Sequence, residues 1–247
     1  MQPIWNRAQF KQTGKDTFLS NYWPFVGVCV LLALLSGDLF NLQLQQTSRE
    51  LVSNSILIYD DPSLGNAVAY GAQLLSPYLA PFVAGSLLLS LLVVFPLQVG
   101  ASRFFLESRP GYKAPFQRIG HGFVENYGNV FLTGLFKWLF TLLWSLLFLI
   151  PGIIRSFGYF AVPYILAENP NLDHSRALQL SLQMTKGYKW DIFVLELSFL
   201  GWFLLSGISF NIAGIFYVNP YYQATLAEAY RFLRENAMAN GYTNSSE

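Results

Sequence analysis

Residues 128–150 read GNVFLTGLFKWLFTLLWSLLFLI, an apolar run with a single charged side chain, Lys137. At 1.5 Å per residue, an α-helix of this length extends about 34 Å, which is enough to cross a hydrocarbon core of about 30 Å. Residues 74–100 form a second long apolar run, and this one contains no charged residue. The sequence therefore predicts a chain whose solvent is largely lipid.

The composition supports this prediction. Of the 247 residues, 53% are hydrophobic and 12% are charged, whereas soluble domains carry about 25% charged residues. The mean hydropathy is positive, at +0.36. The net charge of +1 gives no strong field for recruiting a polyanion, so we expect no nucleic-acid partner. The single cysteine, Cys29, excludes an internal disulfide.

Four further apolar segments complete a prediction of about six membrane spans. They are residues 22–40, 153–168, 190–210 and 212–233. The last two are separated at Gly207, Asn211 or Gly214, which are candidate turn positions. The predicted fold is all-α: a polytopic membrane helix bundle of about six transmembrane helices, with interfacial amphipathic helices.

Segment 153–168 has two interpretations. It follows the Pro151-Gly152 stop and is short, so it is either a short span or a half helix that re-enters from the outer side. Such re-entry would leave the basic residues of 169–189 outside the cell, against the positive-inside rule. We therefore favour a short span.

The distribution of lysine and arginine predicts the orientation of the chain. Basic residues concentrate in the N-terminal segment and in the predicted inner loops 101–127 and 169–189, whereas the predicted outer loop 41–73 holds only Arg49. Cytoplasmic loops are richer in lysine and arginine. We therefore expect residues 1–247 to form one integral domain of the cytoplasmic membrane with both termini in the cytoplasm.

Two stretches of the inner loops have the pattern of helices lying at the membrane surface. Residues 113–126 place apolar side chains at helical spacing, and in 173–187 Asp173 is positioned to cap an amphipathic helix. Either stretch could be a connector packed on lipid and neighbouring helices, or a surface for anionic lipid headgroups. The candidate lipid contacts are Lys113, Arg118, Arg176, Lys186 and Lys189.

Charged residues inside the predicted spans are the candidate functional groups, because each costs about 2.5 to 3.5 kcal/mol at a helix centre unless it is paired or hydrated. Lys137 and Glu196 have opposite charge at similar predicted depth, with Glu228 near the same level. Asp38 and Arg155 form a second candidate pair. These pairs are expected to clamp helices together or to line a polar route between them.

The sequence contains no pattern typical of a catalytic or cofactor site. Phosphate-loop, dinucleotide-binding, H-E-x-x-H and C-x-x-C motifs are absent from it. We therefore expect no enzyme, cofactor or metal, and interpret the chain as an accessory or lipid-contacting component whose partner is the bilayer, with a membrane protein partner also open. The alternatives are a small transporter or channel using the buried charges, and a membrane enzyme with a site around Glu168, His174 and Arg176.

Four blocks of the sequence resemble a family of bacterial integral membrane proteins known as domain of unknown function 975. They are GASRFFLESRPG from Gly100, WSLLFLIPGIIRSFGYFAVPYILAENPNL from Trp144, ALQLSLQMTKGYKWDIFVLELSFLGWFLL from Ala177 and NPYYQATLAEAY from Asn219. The resemblance implies a multi-span protein of the cytoplasmic membrane, often from Gram-positive bacteria, without an established activity.

A second, more distant resemblance is to the membrane domain joined to some glycerophosphodiester phosphodiesterases. It rests on the order of six residues: Glu168, Pro170, Ala177, Ser181, Gly187 and Trp190. In those proteins the catalytic domain is a separate module. The resemblance therefore implies lipid-related work and does not imply hydrolysis by this chain.

Overall fold

The computed structural model describes residues 4–35, 77, 85, 90–147, 149–209 and 211–242. Within these residues the regular structure is helical, apart from one isolated β-bridge between Arg109 and Tyr112. The predicted all-α class is therefore confirmed for this part of the chain. The predicted outer loop 41–73, most of the predicted span 74–100, and Asp38 lie outside the described residues.

From Ser90 onward the described helices follow one another with short connections. The α-helices are α1 (Arg7–Ser20), α2 (Tyr22–Leu35), α3 (Phe95–Glu107), α4 (His121–Val124), α5 (Tyr127–Leu147), α6 (Leu149–Gly158), α7 (Val162–Glu168), α8 (His174–Met184), α9 (Lys189–Leu197), α10 (Leu200–Ile208) and α11 (Asn219–Ala239). Two π-helices, Ser90–Val94 and Gly214–Val218, precede α3 and α11, and a 3-10 helix, Phe116–Gly120, precedes α4.

The chain divides into two compact units. One comprises Met1–Leu32 with Phe95–Glu247, and the other comprises Ala33–Val94. The described part of the second unit consists of the end of α2, isolated positions and the π-helix before α3. The hydrophobic core belongs to the first unit.

The core of the first unit forms where α1 lies against α11. The two helices approach so closely that a Cβ atom on Gly14 would lie 2.9 Å from the Thr225 backbone nitrogen. Asn6 caps the start of α1 by accepting a hydrogen bond from the Gln9 backbone nitrogen, and the chain bends by 98° between α1 and α2. The largest fully buried side chains include Phe18, Phe104, Phe105, Tyr159, Phe199, Tyr230 and Leu233.

The stretch 113–126, predicted as an interfacial helix, is instead divided between the 3-10 helix and α4. The backbone of this stretch packs closely on α3: a Cβ atom on Gly100 of α3 would collide with the Ile119 carbonyl oxygen, and one on Gly122 of α4 with the Pro96 carbonyl oxygen. Ile119 is buried in this contact, whereas Phe116 and Phe123 are exposed.

The second predicted amphipathic helix is confirmed as α8. The Asp173 carboxylate accepts hydrogen bonds from the backbone nitrogens of Ser175 and Arg176, at 3.0 and 3.4 Å, as an N-cap residue does. The apolar face is buried in the core through Ala177, Leu178, Leu180 and Met184.

Two segments of the chain fold into apolar hairpins. In the first hairpin, α6 folds back on α5, and a Cβ atom on Gly152 would lie 2.7 Å from the Ser145 Cα atom. In the second hairpin, the chain leaves along α9 and α10 and returns through the Gly214–Val218 π-helix. Asn211, one of the predicted turn positions, adopts the left-handed conformation, with φ 66°.

The structure supplies fewer membrane-spanning candidates than the six predicted spans. Among the described residues, Tyr127–Leu146 and Lys189–Ile208 are long and apolar enough to cross a bilayer, and α1 with α2 would count as a third if taken as one bent span. The predicted span 153–168 is divided between α6 and α7, and α7 is buried in protein. The predicted span 212–233 covers the Gly214–Val218 π-helix and the first part of α11. Helix α11 carries charged residues and lies in the core.

Candidate functional site

A network of arginines and glutamates connects the ends of α3, α7 and α11. Arg103 on α3 donates to the carbonyl oxygens of Ala167 and Glu168 at 2.6 and 3.3 Å, and pairs with Glu107 at 2.5 Å. The last carbonyl groups of a helix have no partner within that helix. Arg103 therefore acts as a C-terminal cap for α7, supplied by another element.

Arg231 on α11 has the same role at the end of α3. Its guanidinium donates to the carbonyl oxygens of Leu106 and Ser108 at 2.6 and 3.1 Å, and it also forms an ion pair with Glu228. The side chains of Arg231 and Glu228 are only 17% and 13% exposed. Removing either partner would leave the other charge in a mostly buried position.

Glu168 lies at the centre of this network. Its carboxylate accepts a hydrogen bond from the Tyr230 hydroxyl at 2.7 Å and pairs with Arg234 at 2.8 Å. His174 has different neighbours, stacking on the Phe136 ring with a centroid separation of 4.9 Å. The contacts of Glu168 thus bind α7 to α11 and do not join it to His174.

The candidate buried charges have partners other than those proposed from their depth. The Lys137 amino group lies 5.7 Å from the centroid of the Phe95 ring. The polar neighbour of the Glu196 carboxylate is the Tyr222 hydroxyl. Two charges at the same depth need not face each other, because rotation of each helix about its axis decides what a side chain meets.

The other two described members of the candidate pairs also find local partners. Glu228 pairs with Arg231 in its own helix. The Arg155 guanidinium lies over the rings of Trp144 and Tyr159, at 5.6 and 5.4 Å from their centroids, and donates to the Tyr159 hydroxyl at 3.1 Å. Asp38, the proposed partner of Arg155, lies outside the described residues.

The five candidate lipid contacts differ in their exposure and in the partners that they already have. Lys113 and Lys186 are exposed, and Lys186 lies on the rim of a polar cavity of about 370 Å³. Arg118 pairs with Glu107 at 2.8 Å, Arg176 donates to the Tyr242 carbonyl oxygen at 3.1 Å, and Lys189 is half-buried. Among the described residues, no cluster of three metal-ligating side chains is present.

The comparison with protein families assigns most of this structure to one family. The model described as "Protein of unknown function (DUF975)" matches residues 85–237, more than half of the chain. The chain belongs to the DUF975 family. Comparisons with curated proteins and with solved structures give no match. The matched DUF975 region contains the whole arginine–glutamate network and both apolar hairpins.

The basic residues of the N-terminal segment form a surface on α1, outside the DUF975 region. Arg7 and Lys15 are exposed, while Lys11 contacts the second hairpin: its amino group donates to the Ser198 carbonyl oxygen at 3.3 Å and lies 4.6 Å from the Phe199 ring centroid. Residues 7, 11 and 15 are four apart, the spacing of one helix face. The spacing in the sequence therefore predicts that these three basic residues share one face of α1.

His121, within the DUF975 region, is a buried histidine with an unusual environment. Its Nε2 atom is buried without a hydrogen-bond partner among the described residues, and its Nδ1 atom lies 3.6 Å from the Glu125 carboxylate. Burial lowers the pKa of the His121 imidazole from its ordinary value, although the Glu125 charge opposes that shift.

The lowered pKa of His121 predicts a pH dependence of stability. As the pH falls from about 7 to about 5, the unfolded chain protonates this residue before the folded chain does, so the folded state loses stability. We expect the melting temperature of the detergent-solubilised protein to fall less steeply over this range in His121→Gln than in the wild type. Parallel curves for the two proteins would contradict this explanation.

In both DUF975 hairpins, the described residues expose many large apolar side chains, and such exposure is unfavourable in water. On α5 the exposed residues include Leu139, Leu142, Leu143, Trp144 and Leu146, and on α10 they include Leu204, Leu205 and Ile208. Large contiguous apolar surfaces on a folded protein indicate contact with a partner or a membrane. These surfaces are therefore candidate sites of contact with a partner or a membrane.

Proposed function

We propose that the chain is a non-enzymatic, multi-pass component of the bacterial cytoplasmic membrane that acts through contact with lipid. The observation that supports this proposal is the set of exposed apolar side chains on α5 and α10, within the two segments that are long and apolar enough to cross a bilayer. In this arrangement the apolar helices enter the bilayer, and the arginine–glutamate network and both termini lie on the cytoplasmic side. The concentration of basic residues in 101–127 and 169–189 favours that orientation.

The proposal predicts the behaviour of the chain during cell fractionation. We expect the protein expressed in bacteria to sediment with the membranes, to remain there after washing with high salt and alkaline carbonate, and to be released by detergent. Integral association rests on apolar contact, which salt does not weaken. Release by salt or carbonate would contradict integral membrane insertion.

Contact with anionic headgroups is a further expectation, with Lys113 and Lys186 as the exposed candidates. A lysine near an anionic membrane surface contributes about 1 kcal/mol of attraction. We expect the protein to melt at a higher temperature in nanodiscs containing anionic lipid than in zwitterionic ones, and expect Lys113→Gln/Lys186→Gln to reduce that difference. The same variant in zwitterionic nanodiscs is the control, where its melting temperature should equal that of the wild type.

A small transporter or channel is the second candidate, because Glu196 and Tyr222 form a polar pair beside the apolar surface of the second hairpin. Proton or potassium flux into proteoliposomes that is abolished in Glu196→Gln would favour this function over the accessory one. Equal leakage from wild-type and Glu196→Gln proteoliposomes would favour the accessory role.

A further inference from the structure

The turn of the second hairpin is closed by hydrogen bonds within itself. The Ser206 hydroxyl donates to the Asn211 side-chain oxygen at 2.8 Å, and the Asn211 backbone nitrogen donates to the Ser206 carbonyl oxygen at 2.8 Å. The Ser209 hydroxyl oxygen accepts a hydrogen bond from the Ala213 backbone nitrogen at 3.1 Å. Such bonds also close helix ends in water, but in hydrocarbon they are required, because polar groups there must find partners within the protein.

Two isoleucines that flank this turn have exposed side chains. Ile208 is 78% exposed, and Ile212 on the other side of the turn is also exposed. Gly214 permits the compact shape, since a Cβ atom there would collide with the side chains of Asn211 and Ser206. Exposed isoleucines on a turn whose polar groups are internally bonded fit a lipid environment.

The depth of the second hairpin in the membrane can be measured from Lys11, the lysine that contacts it. Lys11 on α1 contacts Ser198 and Phe199, and α1 also carries the exposed Arg7 and Lys15, so this level belongs to the membrane surface. From Phe199 to Ile208 the helix rises about 14 Å. No charged residue occurs between Glu196 and Glu228.

A separate set of contacts gives the first hairpin a similar depth in the membrane. Phe136 on α5 stacks on His174, and the neighbouring Asp173 side chain is 64% exposed, so this level is in contact with water. From Phe136 to the end of α5 at Leu147 the helix rises about 16 Å. The residues that follow, 148–151, read FLIP, so three large apolar residues precede Pro151, a residue type that favours turns, with no charged or hydrogen-bonding side chain among them.

We propose that both hairpins are re-entrant, entering from the cytoplasmic side, ending near the bilayer midplane and returning to the cytoplasm, with the acyl chains of the inner leaflet as their partner. Each hairpin extends only about half of a hydrocarbon core of about 30 Å beyond its surface level. Because each returns to the side from which it entered, the predicted sidedness of 101–127 and 169–189 is preserved. The proposal rests on the membrane insertion proposed above.

Cysteine labelling distinguishes re-entrant hairpins from complete crossings. Cys29 is the single cysteine and is buried, so Cys29→Ala provides a background for single replacements. The tip probes are Leu146→Cys, at a position that is 82% exposed, and Ile208→Cys. Asp60→Cys in the predicted outer loop and Lys113→Cys in an inner loop are the controls for the two aqueous sides.

With a membrane-impermeant maleimide, we expect Asp60→Cys to react in intact cells and Lys113→Cys to react once the membrane is permeabilised. Leu146→Cys and Ile208→Cys should react in neither condition, and only after denaturation in detergent. Reaction of a tip in intact cells would establish a complete crossing, and reaction of a tip on permeabilisation would place it in the cytoplasm. Either result overturns the proposal.

Protection from the reagent can also result from burial between proteins, so a depth measurement is needed. A fluorescent probe attached at Ile208→Cys in proteoliposomes should be quenched more by lipids with a nitroxide at the end of the acyl chain than by headgroup-labelled lipids. Stronger quenching from the headgroup would overturn the proposal. If the protein is instead recovered from the soluble fraction, the proposed function itself fails, and the two failures are thereby separated.

Discussion

Replacing Gly100 by alanine is expected to lower the free energy of unfolding more than any other substitution that adds one methyl group to α3. The added Cβ atom would collide with the Ile119 carbonyl oxygen and would lie 2.6 Å from its carbonyl carbon. Both partners in this contact are backbone, so no side chain can rotate away to make room. Overpacking costs about 1 to 3 kcal/mol where the surroundings can adjust, and we expect a cost at the top of that range.

A loss of about 3 kcal/mol lowers the melting temperature by roughly 6 to 12 °C for a protein of this size. Thermal unfolding of the detergent-solubilised protein measures this change, and Gly122→Ala should behave similarly because its Cβ atom would collide with the Pro96 carbonyl oxygen. Gly120→Ala is the matched control, since nothing lies within 4 Å of a Cβ atom at that position. Equal melting temperatures for Gly100→Ala and Gly120→Ala would contradict the close approach of the two backbones.

The parts of the structure that the sequence predicted correctly are those that depend on neighbouring residues. The apolar runs predicted helices, and Asp173 predicted the start of α8, because a helix period and an N-cap are local properties. The span predicted at 212–233 was different: hydropathy measures only whether a segment is apolar. It could not show that α1 would cover α11 through the Gly14 contact and bury the helix in protein.

The contacts of the candidate site were less predictable for a related reason. Lys137 and Glu196 were paired by depth, but each meets a side chain that only the rotation of its helix selects, Phe95 and Tyr222 respectively. The partners of Arg231 are mainly backbone carbonyl groups. Any residue supplies a carbonyl group, so such a contact has no sequence signature.

Replacing Arg231 by methionine is the second change with a large expected effect. It leaves the Glu228 carboxylate mostly buried without its cation and removes the donor to the carbonyl oxygens of Leu106 and Ser108. Breaking a buried ion pair by removing one partner costs about 3 to 5 kcal/mol. A loss of that size lowers the melting temperature by roughly 6 to 20 °C.

A second variant separates the two causes of this loss. Glu228→Gln/Arg231→Met has no buried charge left at this position but still lacks the donor to the end of α3, so we expect it to melt between Arg231→Met and the wild type. Arg118→Met is the surface control: its pair with Glu107 is exposed, and such pairs contribute about 1 kcal/mol or less. If the double variant melted no higher than Arg231→Met, the lost caps on α3 alone would account for the effect, and the buried charge of Glu228 would contribute nothing. If Arg231→Met melted like Arg118→Met, the guanidinium would not be holding α11 to α3, and the arrangement of the network described above would be wrong.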